Sequence, residues 1–154
     1  MNTSPFIFTA IFDGPIGVAE DTRALRSVGP AADASGLVGA TIRFDGIVRR
    51  DEPSGSRAED GVATPLRALV ALDYQSYDPM AERQFESLAR DVARKFGLLA
   101  LVALHSRGRV RVGEVSFVLT IMSAHRAEAI AATTAFIDRL KRDVPIWKSP
   151  VWAE

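Results

Sequence analysis

The chain has no cysteine among its 154 residues. A disulfide, a thiolate nucleophile, a cysteine-ligated iron–sulfur cluster and a CxxC zinc site are therefore excluded. It has only two histidines, His105 and His125. A three-histidine metal site within one chain is excluded for the same reason, since such a site needs one more imidazole.

An excess of charge of one sign and long apolar runs are also missing. The 19 basic and 19 acidic residues cancel, so no global field attracts nucleic acid or a membrane surface. No stretch is apolar for long enough to span a bilayer. The short apolar run over residues 6–12 lacks a preceding basic region and is followed at once by Asp13-Gly14, which favours a first strand over a signal peptide. We expect a cytoplasmic protein without a nucleic-acid or membrane partner.

What is present is typical of one globular domain covering residues 1–154, with 47% hydrophobic and 25% charged residues. Periodicity and end signals predict helices over residues 19–28, 78–96 and 124–143. They predict strands over residues 6–12, 37–48, 66–77, 98–104, 110–112 and 115–122. Small and polar residues over 49–61 predict a mobile surface loop. This order predicts an α+β (mixed α/β) fold with helices packed on a largely antiparallel sheet.

Local signals predict where the helices begin and end. Asp78, which precedes a proline, is a candidate N-cap of the second helix, and Gly97 should end that helix. Ser123 is the candidate N-cap of the last helix. Gly36, Gly39 and Gly46 lie at or within a predicted strand and indicate a bend or a close backbone approach.

The first candidate site lies at the end of the last helix. Pro145 should stop this helix at about Asp143, because a proline disfavours helical dihedrals in the residue before it. Lys141 then lies on the last helical turn and Lys148 on an extended segment beside Trp147. A lysine near an aromatic ring and a second cation can act as base or nucleophile. The alternative is that Lys141 only complements the helix dipole.

Two further candidates are cationic. His125 and Arg126, at the start of the last helix, combine backbone N–H groups with a guanidinium and could bind phosphate; alternatively, Arg126 pairs with a carboxylate. Arg49 follows a strand and either contacts a ligand or is solvated. Arg126 and Lys141 are roughly 22 Å apart along the helix axis, so one small substrate cannot contact both. We therefore predict a dimer with composite sites, in which His125 and Arg126 come from the neighbouring protomer.

The order and spacing of several segments resemble those of a known protein family. The segments are Phe44-Asp45-Gly46-Ile47-Val48-Arg49, Leu72 to Ala81, Gly113-Glu114-Val115-Ser116, Ser123-Ala124-His125-Arg126, Leu140-Lys141 and Pro145-Ile146-Trp147-Lys148. From about residue 36 to residue 148 they resemble the family of large, catalytic subunits of molybdopterin synthase. The resemblance implies a hammerhead-like, dimeric α+β fold.

The resemblance also implies sulfur transfer without cysteine. In this family a small ubiquitin-like subunit inserts a C-terminal tail that ends in a glycine thiocarboxylate. Two such sulfurs are added to cyclic pyranopterin monophosphate, which gives the dithiolene of molybdopterin. The large subunits form a homodimer with a small subunit at each end. No metal and no cofactor are implied for the chain, and the missing cysteines make sense because the sulfur arrives on the partner.

The resemblance assigns roles to seven positions. The implied catalytic residues are Lys141 and Lys148, and the implied substrate-binding residues are Ile47, Val48, Arg49, His125 and Arg126. Lysines beside a thiocarboxylate can polarise its carbonyl and transfer protons. Arginines and a helix terminus can hold a cyclic phosphate.

Three departures from the family pattern keep alternatives open. Pro150 stands where the family usually has a glutamate, Ser106 stands where it usually has an arginine, and the C-terminal segment is shorter. These changes alter the expected pocket wall near Lys148. The alternative function is a degenerate relative that acts as a non-catalytic dimeric binding or scaffold protein for a ubiquitin-like partner. A generic phosphate-binding domain would explain His125 and Arg126 but not the paired lysines.

Overall fold

Three helices pack on a mostly antiparallel seven-stranded sheet in a computed structural model that describes residues 4–28, 36–53 and 65–154. The strands are β1 (Phe6–Asp13), β2 (Ala40–Ile47), β3 (Asp51–Pro53), β4 (Leu66–Ser76), β5 (Ala100–Arg111), β6 (Val115–Ser123) and β7 (Ile146–Trp152). The helices are α1 (Val18–Ser27), α2 (Met80–Lys95) and α3 (Arg126–Asp143). The predicted α+β class is confirmed. No helix in these described ranges is long and apolar enough to cross a membrane.

The sheet is organised around β5. Its strand order is β2-β6-β5-β4-β3, with β1 added to β5 and β7 added to β4. The first half of β5 pairs with β6 and, in parallel, with β1, whereas its last four residues pair with β4. Since β7 also pairs with β4 in antiparallel fashion, residues 71–74 of β4 lie between β7 and the last four residues of β5.

Helices cover both faces of the sheet around β5. Leu101 and Ala103 belong to the main core that includes residues of α2 and α3, and Val102 and Leu104 pack in a second cluster with Ala24 of α1. This alternation follows from the two-residue period of a strand, which sends successive side chains to opposite faces. A strand buried on both faces explains why residues 100–104 are apolar without a break.

The end of α3 agrees with the sequence prediction. The helix ends at Asp143, and the N–H of Val144 still donates to the carbonyl of Leu140 at 3.3 Å. Val144 is extended and buried, and Ile146 begins β7 two residues later. Because Pro145 cannot continue the helix, the chain turns here and runs back along β4.

Both predicted N-caps are wrong. Helix α2 begins at Met80, and the carboxylate of Asp78 instead accepts hydrogen bonds from Ser76 Oγ at 3.0 Å and from the Arg107 guanidinium. Helix α3 begins at Arg126 with His125 as its N-cap, while Ser123 Oγ donates to the His125 carbonyl. In both places the side chain forms a hydrogen bond with another group and does not cap the helix.

Two segment predictions also differ from the structure. The strands predicted over 98–104 and 110–112 are one strand, β5, because its second half finds β4 as a partner. Part of the predicted loop over 49–61 forms the short strand β3, which pairs with β4. The rest of that loop, residues 54–61, lies outside the described residues, and its mobility stays a prediction.

The predicted close approach is confirmed at two of the three glycines; at Gly36, whose φ is 66°, nothing lies within 4 Å of an added Cβ. A Cβ on Gly39 would clash with the backbone carbonyl oxygen of Ala124, and a Cβ on Gly46 would lie 3.1 Å from Phe117 Cβ. These glycines let β2 run closely alongside β6 and the start of α3. Gly97 follows the C-cap residue of α2 and has a φ of 60°, as predicted for the glycine that ends this helix.

Candidate active site

A cleft of about 850 Å³ opens where the end of β2, the end of α3 and the start of β7 meet. Five of the seven predicted site residues line it. They are Ile47, Val48, Arg49, Lys141 and Lys148. His125 and Arg126 do not line it; they are exposed at the opposite end of α3.

The turn between α3 and β7 brings the two lysines to the same cleft. Lys141 is on the last turn of α3, and Lys148 is in β7 directly opposite Tyr74 of β4. Both lysine side chains line the cleft, with the half-exposed indole of Trp147 beside Lys148. The lysines are seven positions apart in sequence. The end of α3 and the pairing of β7 with β4 together place both of them at one cleft.

A bulge at the end of β2 positions Arg49. Gly46 pairs with Phe117 whereas Ile47 pairs with Val115, so the register shifts between these two pairs. Two backbone hydrogen bonds then fix the buried Val48. Its N–H donates to the Glu114 carbonyl at 3.0 Å, and its carbonyl accepts from the Gly113 N–H at 2.9 Å. Bulges at a strand end re-aim the following side chain, and here Arg49 lies at the cleft with most of its side chain exposed.

The bulge also creates a partly buried chain of hydrogen bonds. Ser116, skipped by the register shift, donates from Oγ to the Gly46 carbonyl at 3.2 Å and accepts from the Tyr74 hydroxyl at 3.0 Å. Burial is the main cause that raises the pKa of Tyr74, with a smaller contribution from the charge of Glu52. Tyr74 is therefore a neutral phenol at physiological pH and ties β4 to the wall of the cleft.

His105 lies on the buried side of the cleft. Its Nδ1 is 2.8 Å from the Ser106 carbonyl oxygen, and since a carbonyl only accepts, Nδ1 carries the proton. Its ring is edge-on to Tyr74, with the ring centres 5.3 Å apart. Burial lowers the pKa of His105 below its usual value of 6.5, so the imidazole is neutral at pH 7.

The charges that line the cleft are predominantly positive. Three cationic side chains (Arg49, Lys141 and Lys148) face two carboxylates (Asp45 and Glu52). Glu52 Oε1 accepts from Arg49 Nη2 at 3.0 Å, and Glu52 Oε2 lies 4.0 Å from Lys148 Nζ. Such a cleft can bind an anion, polarise a carbonyl and donate protons.

No group of three or more histidine, aspartate or glutamate side chains in the described ranges is placed to hold a metal ion. The lysine and arginine side chains that line the cleft can perform acid–base and electrostatic chemistry.

Sequence reasoning missed Glu52, Tyr74, Ser116 and His105 as cleft residues. Glu52 fell in the predicted loop, and a strand as short as Asp51–Pro53 has no periodicity to reveal it. The Tyr74–Ser116 contact joins residues 42 positions apart, and no local pattern encodes such a contact. The strand predicted over 98–104 stopped one residue before His105.

The fold and the cleft define a class of protein: an α+β domain with a cationic cleft in which two lysines and an arginine converge and can bind an anionic ligand. The sequence matches the MoaE protein family over residues 15–143, and the chain belongs to that family. The family resemblance noted from the sequence is thereby confirmed.

Individual relatives agree with this assignment. The chain is 36% identical to the molybdopterin synthase catalytic subunit of Nostoc sp. over 117 residues, which cover 75% of this chain and 64% of that protein. It is 30% identical to the rat molybdopterin synthase catalytic subunit over 146 residues, which cover 94% of this chain and 67% of that protein. The chain therefore spans about two thirds of the length of these curated relatives.

A solved structure shares the fold. A chain in the complex of subunits 1 and 2 of molybdopterin-converting factor from Helicobacter pylori superimposes with a TM-score of 0.64 and 24% identity. The superposition covers 95% of this chain and 90% of that chain.

Proposed function

We propose that the chain is a molybdopterin synthase catalytic subunit. It transfers sulfur from the C-terminal thiocarboxylate of a small ubiquitin-like subunit to cyclic pyranopterin monophosphate, forming the dithiolene of molybdopterin. The observation that carries the proposal is the convergence of Lys141, Lys148 and Arg49 on one cleft from three separate elements. Membership of the MoaE family supports the same reaction.

Each cation in the cleft has a role in this proposal. The ammonium groups of Lys141 and Lys148 polarise the thiocarboxylate carbonyl, stabilise the negative charge that develops on its oxygen, and exchange protons with the reacting groups. Arg49 binds substrate oxygens through its forked N–H donors. The buried Val48 and the exposed Ile47 shape the wall beside Arg49.

The assembly is part of the proposal. His125 and Arg126 lie at the far end of α3 from Lys141, so in a single protomer they cannot complete the cleft. We propose a homodimer in which these two residues reach the partner protomer's cleft and bind the substrate phosphate, with a small subunit at each end. Ile47 and Trp147 are 55% and 58% exposed at the cleft, which supports contact with an inserted peptide tail.

A reconstitution tests the proposed reaction. The purified chain is mixed with a thiocarboxylated small subunit and cyclic pyranopterin monophosphate, and molybdopterin formation is followed by mass spectrometry. Product formation is the expected result. A tight complex without product would contradict the proposed reaction and support the binding or scaffold function instead.

The binding or scaffold alternative is favoured by a departure from the family pattern in β7, two residues after Lys148. Pro150, which stands where the family usually has a glutamate, lies in β7 opposite Leu72. It supplies no carboxylate near Lys148.

A further inference from the structure

Glu52 lies between two of the cleft cations, although it comes from a strand of only three residues. Its two carboxylate oxygens are divided between partners: Oε1 is 3.0 Å from Arg49 Nη2 and Oε2 is 4.0 Å from Lys148 Nζ. These three side chains come from β3, the segment after β2, and β7. Glu52 is therefore the carboxylate that links the two cationic walls of the cleft.

The exposure of the three side chains shows which of them is held most firmly. The Glu52 side chain is only 17% exposed, whereas those of Arg49 and Lys148 are 73% and 56% exposed. Exposed ion pairs contribute little free energy, because solvent screens them and long side chains lose conformational entropy in forming them. The two cations can therefore leave Glu52 at small cost, while the carboxylate itself stays at the cleft.

Two of the three cations that line this cleft, Arg49 and Lys148, are the ones that Glu52 faces. A phosphate or thiocarboxylate oxygen that reaches Arg49 or Lys148 takes up hydrogen-bond donors that Glu52 also uses. At the same time the fixed negative charge of Glu52 repels the incoming anion. A carboxylate in this position consequently weakens the binding of anions that use Arg49 or Lys148.

We propose that Glu52 is an internal counter-ion that competes with anionic substrate for Arg49 and Lys148, and so acts as a positioning residue of the cleft. The inference rests on the proposed function for the identity of that substrate. A ligand that binds these two cations has to displace the carboxylate from them, so Glu52 lowers the affinity of the cleft for adventitious anions.

Anion affinity in three variants tests this inference. E52Q removes the charge and nearly preserves the size of the side chain, E52D keeps the charge, and E82Q removes the same charge from α2, outside the cleft. Inorganic pyrophosphate is titrated into each protein by calorimetry at low and at high salt. We expect E52Q to bind pyrophosphate roughly threefold to tenfold more tightly than the unaltered chain at low salt, with a smaller gain at high salt. E82Q should stay near the unaltered chain, and E52D, which keeps the charge on a shorter side chain, should gain less affinity than E52Q.

The outcomes separate this inference from the proposed function. Equal or weaker pyrophosphate binding by E52Q, or no pyrophosphate binding by any of the proteins, overturns the role of Glu52. If E52Q gains affinity for pyrophosphate but no protein binds cyclic pyranopterin monophosphate, the role of Glu52 stands and the proposed substrate fails.

Turnover distinguishes competition from a merely structural role. In the reconstituted reaction, E52Q should lower KM for cyclic pyranopterin monophosphate by a similar factor, because the competing carboxylate is gone. A lower melting temperature and lower kcat with unchanged KM would instead assign Glu52 a structural role and contradict the inference.

Discussion

Single residues in and around the cleft are held in defined proton states by their immediate neighbours. Burial keeps Tyr74 a neutral phenol and His105 a neutral imidazole, so the charges that line the cleft belong to its lysines, Arg49 and two carboxylates. The neutral pair ties β4, β5 and β6 together through Ser116 and ring contacts. Because Tyr74 and His105 are neutral, they do not pair with the charged side chains of the cleft, which stay available to a ligand.

His105 predicts a pH dependence of stability. Because its folded pKa lies below 6.5, the unfolded chain binds a proton at His105 that the folded chain does not, once the pH falls below about 6.5. Stability from this residue is complete above that pH and declines as the pH falls, by about 1.4 kcal/mol per pH unit until the folded pKa is reached. Urea unfolding at steps between pH 7.5 and pH 5 measures the slope.

The second histidine supplies the control for this prediction. His125 is exposed at the start of α3, so H125Q should keep the decline, whereas H105F should abolish most of it. The aromatic neighbours of His105 are Tyr74, Phe85 and Phe117, none of which titrates near pH 6. An unchanged slope in a folded H105F protein would contradict the assignment.

At the scale of elements, local signals were readable from the sequence and long-range pairings were not. Pro145 predicted the end of α3 because its ring blocks the helix whatever the tertiary context. The continuity of β5 depends on β4, and the existence of β3 depends on β4 as well, so neither was predicted. Local signals therefore located both lysines in the sequence, whereas Glu52 was assigned to a loop because its strand depends on pairing with β4.

Gly39 predicts a stability effect at the contact between β2 and the start of α3. In G39A the new Cβ would meet the Ala124 carbonyl oxygen, and this backbone atom cannot move aside as a side chain could. We expect a loss of about 2 kcal/mol or more in the free energy of unfolding, measured in urea. G17A is the matched control, since its Cβ would meet only the end of the Glu20 side chain. Equal losses in the two variants would contradict this account.

At the scale of the whole molecule, α3 connects two sets of cations that a single protomer keeps apart. The C-terminal end of α3 presents Lys141 to the cleft, and its N-terminal end exposes His125 and Arg126. A cation at a helix N-terminus is unfavourable on its own because it faces the positive end of the dipole. An anionic substrate bound across a dimer interface would offset that cost.

Subunit mixing tests this composite site. K141A and R126A homodimers should each be inactive, because each lacks one essential half of both sites. After exchange of subunits, a heterodimer has one site with both substitutions and one site with neither, so about a quarter of all sites should be restored. Recovery of product to about that level is expected. No recovery, with subunit exchange verified by native mass spectrometry, would place both groups in one protomer's site.

The measurement that tests the central claim most directly compares two substitutions on the last turn of α3 in the reconstituted reaction. Lys141 lines the cleft, whereas its neighbour Arg142 is exposed and pairs with Asp143. K141A should abolish molybdopterin formation and R142A should retain most of it, with both proteins forming the same dimer. Product at the unaltered rate in K141A, or equal loss in both variants, would contradict catalysis by Lys141 in this cleft.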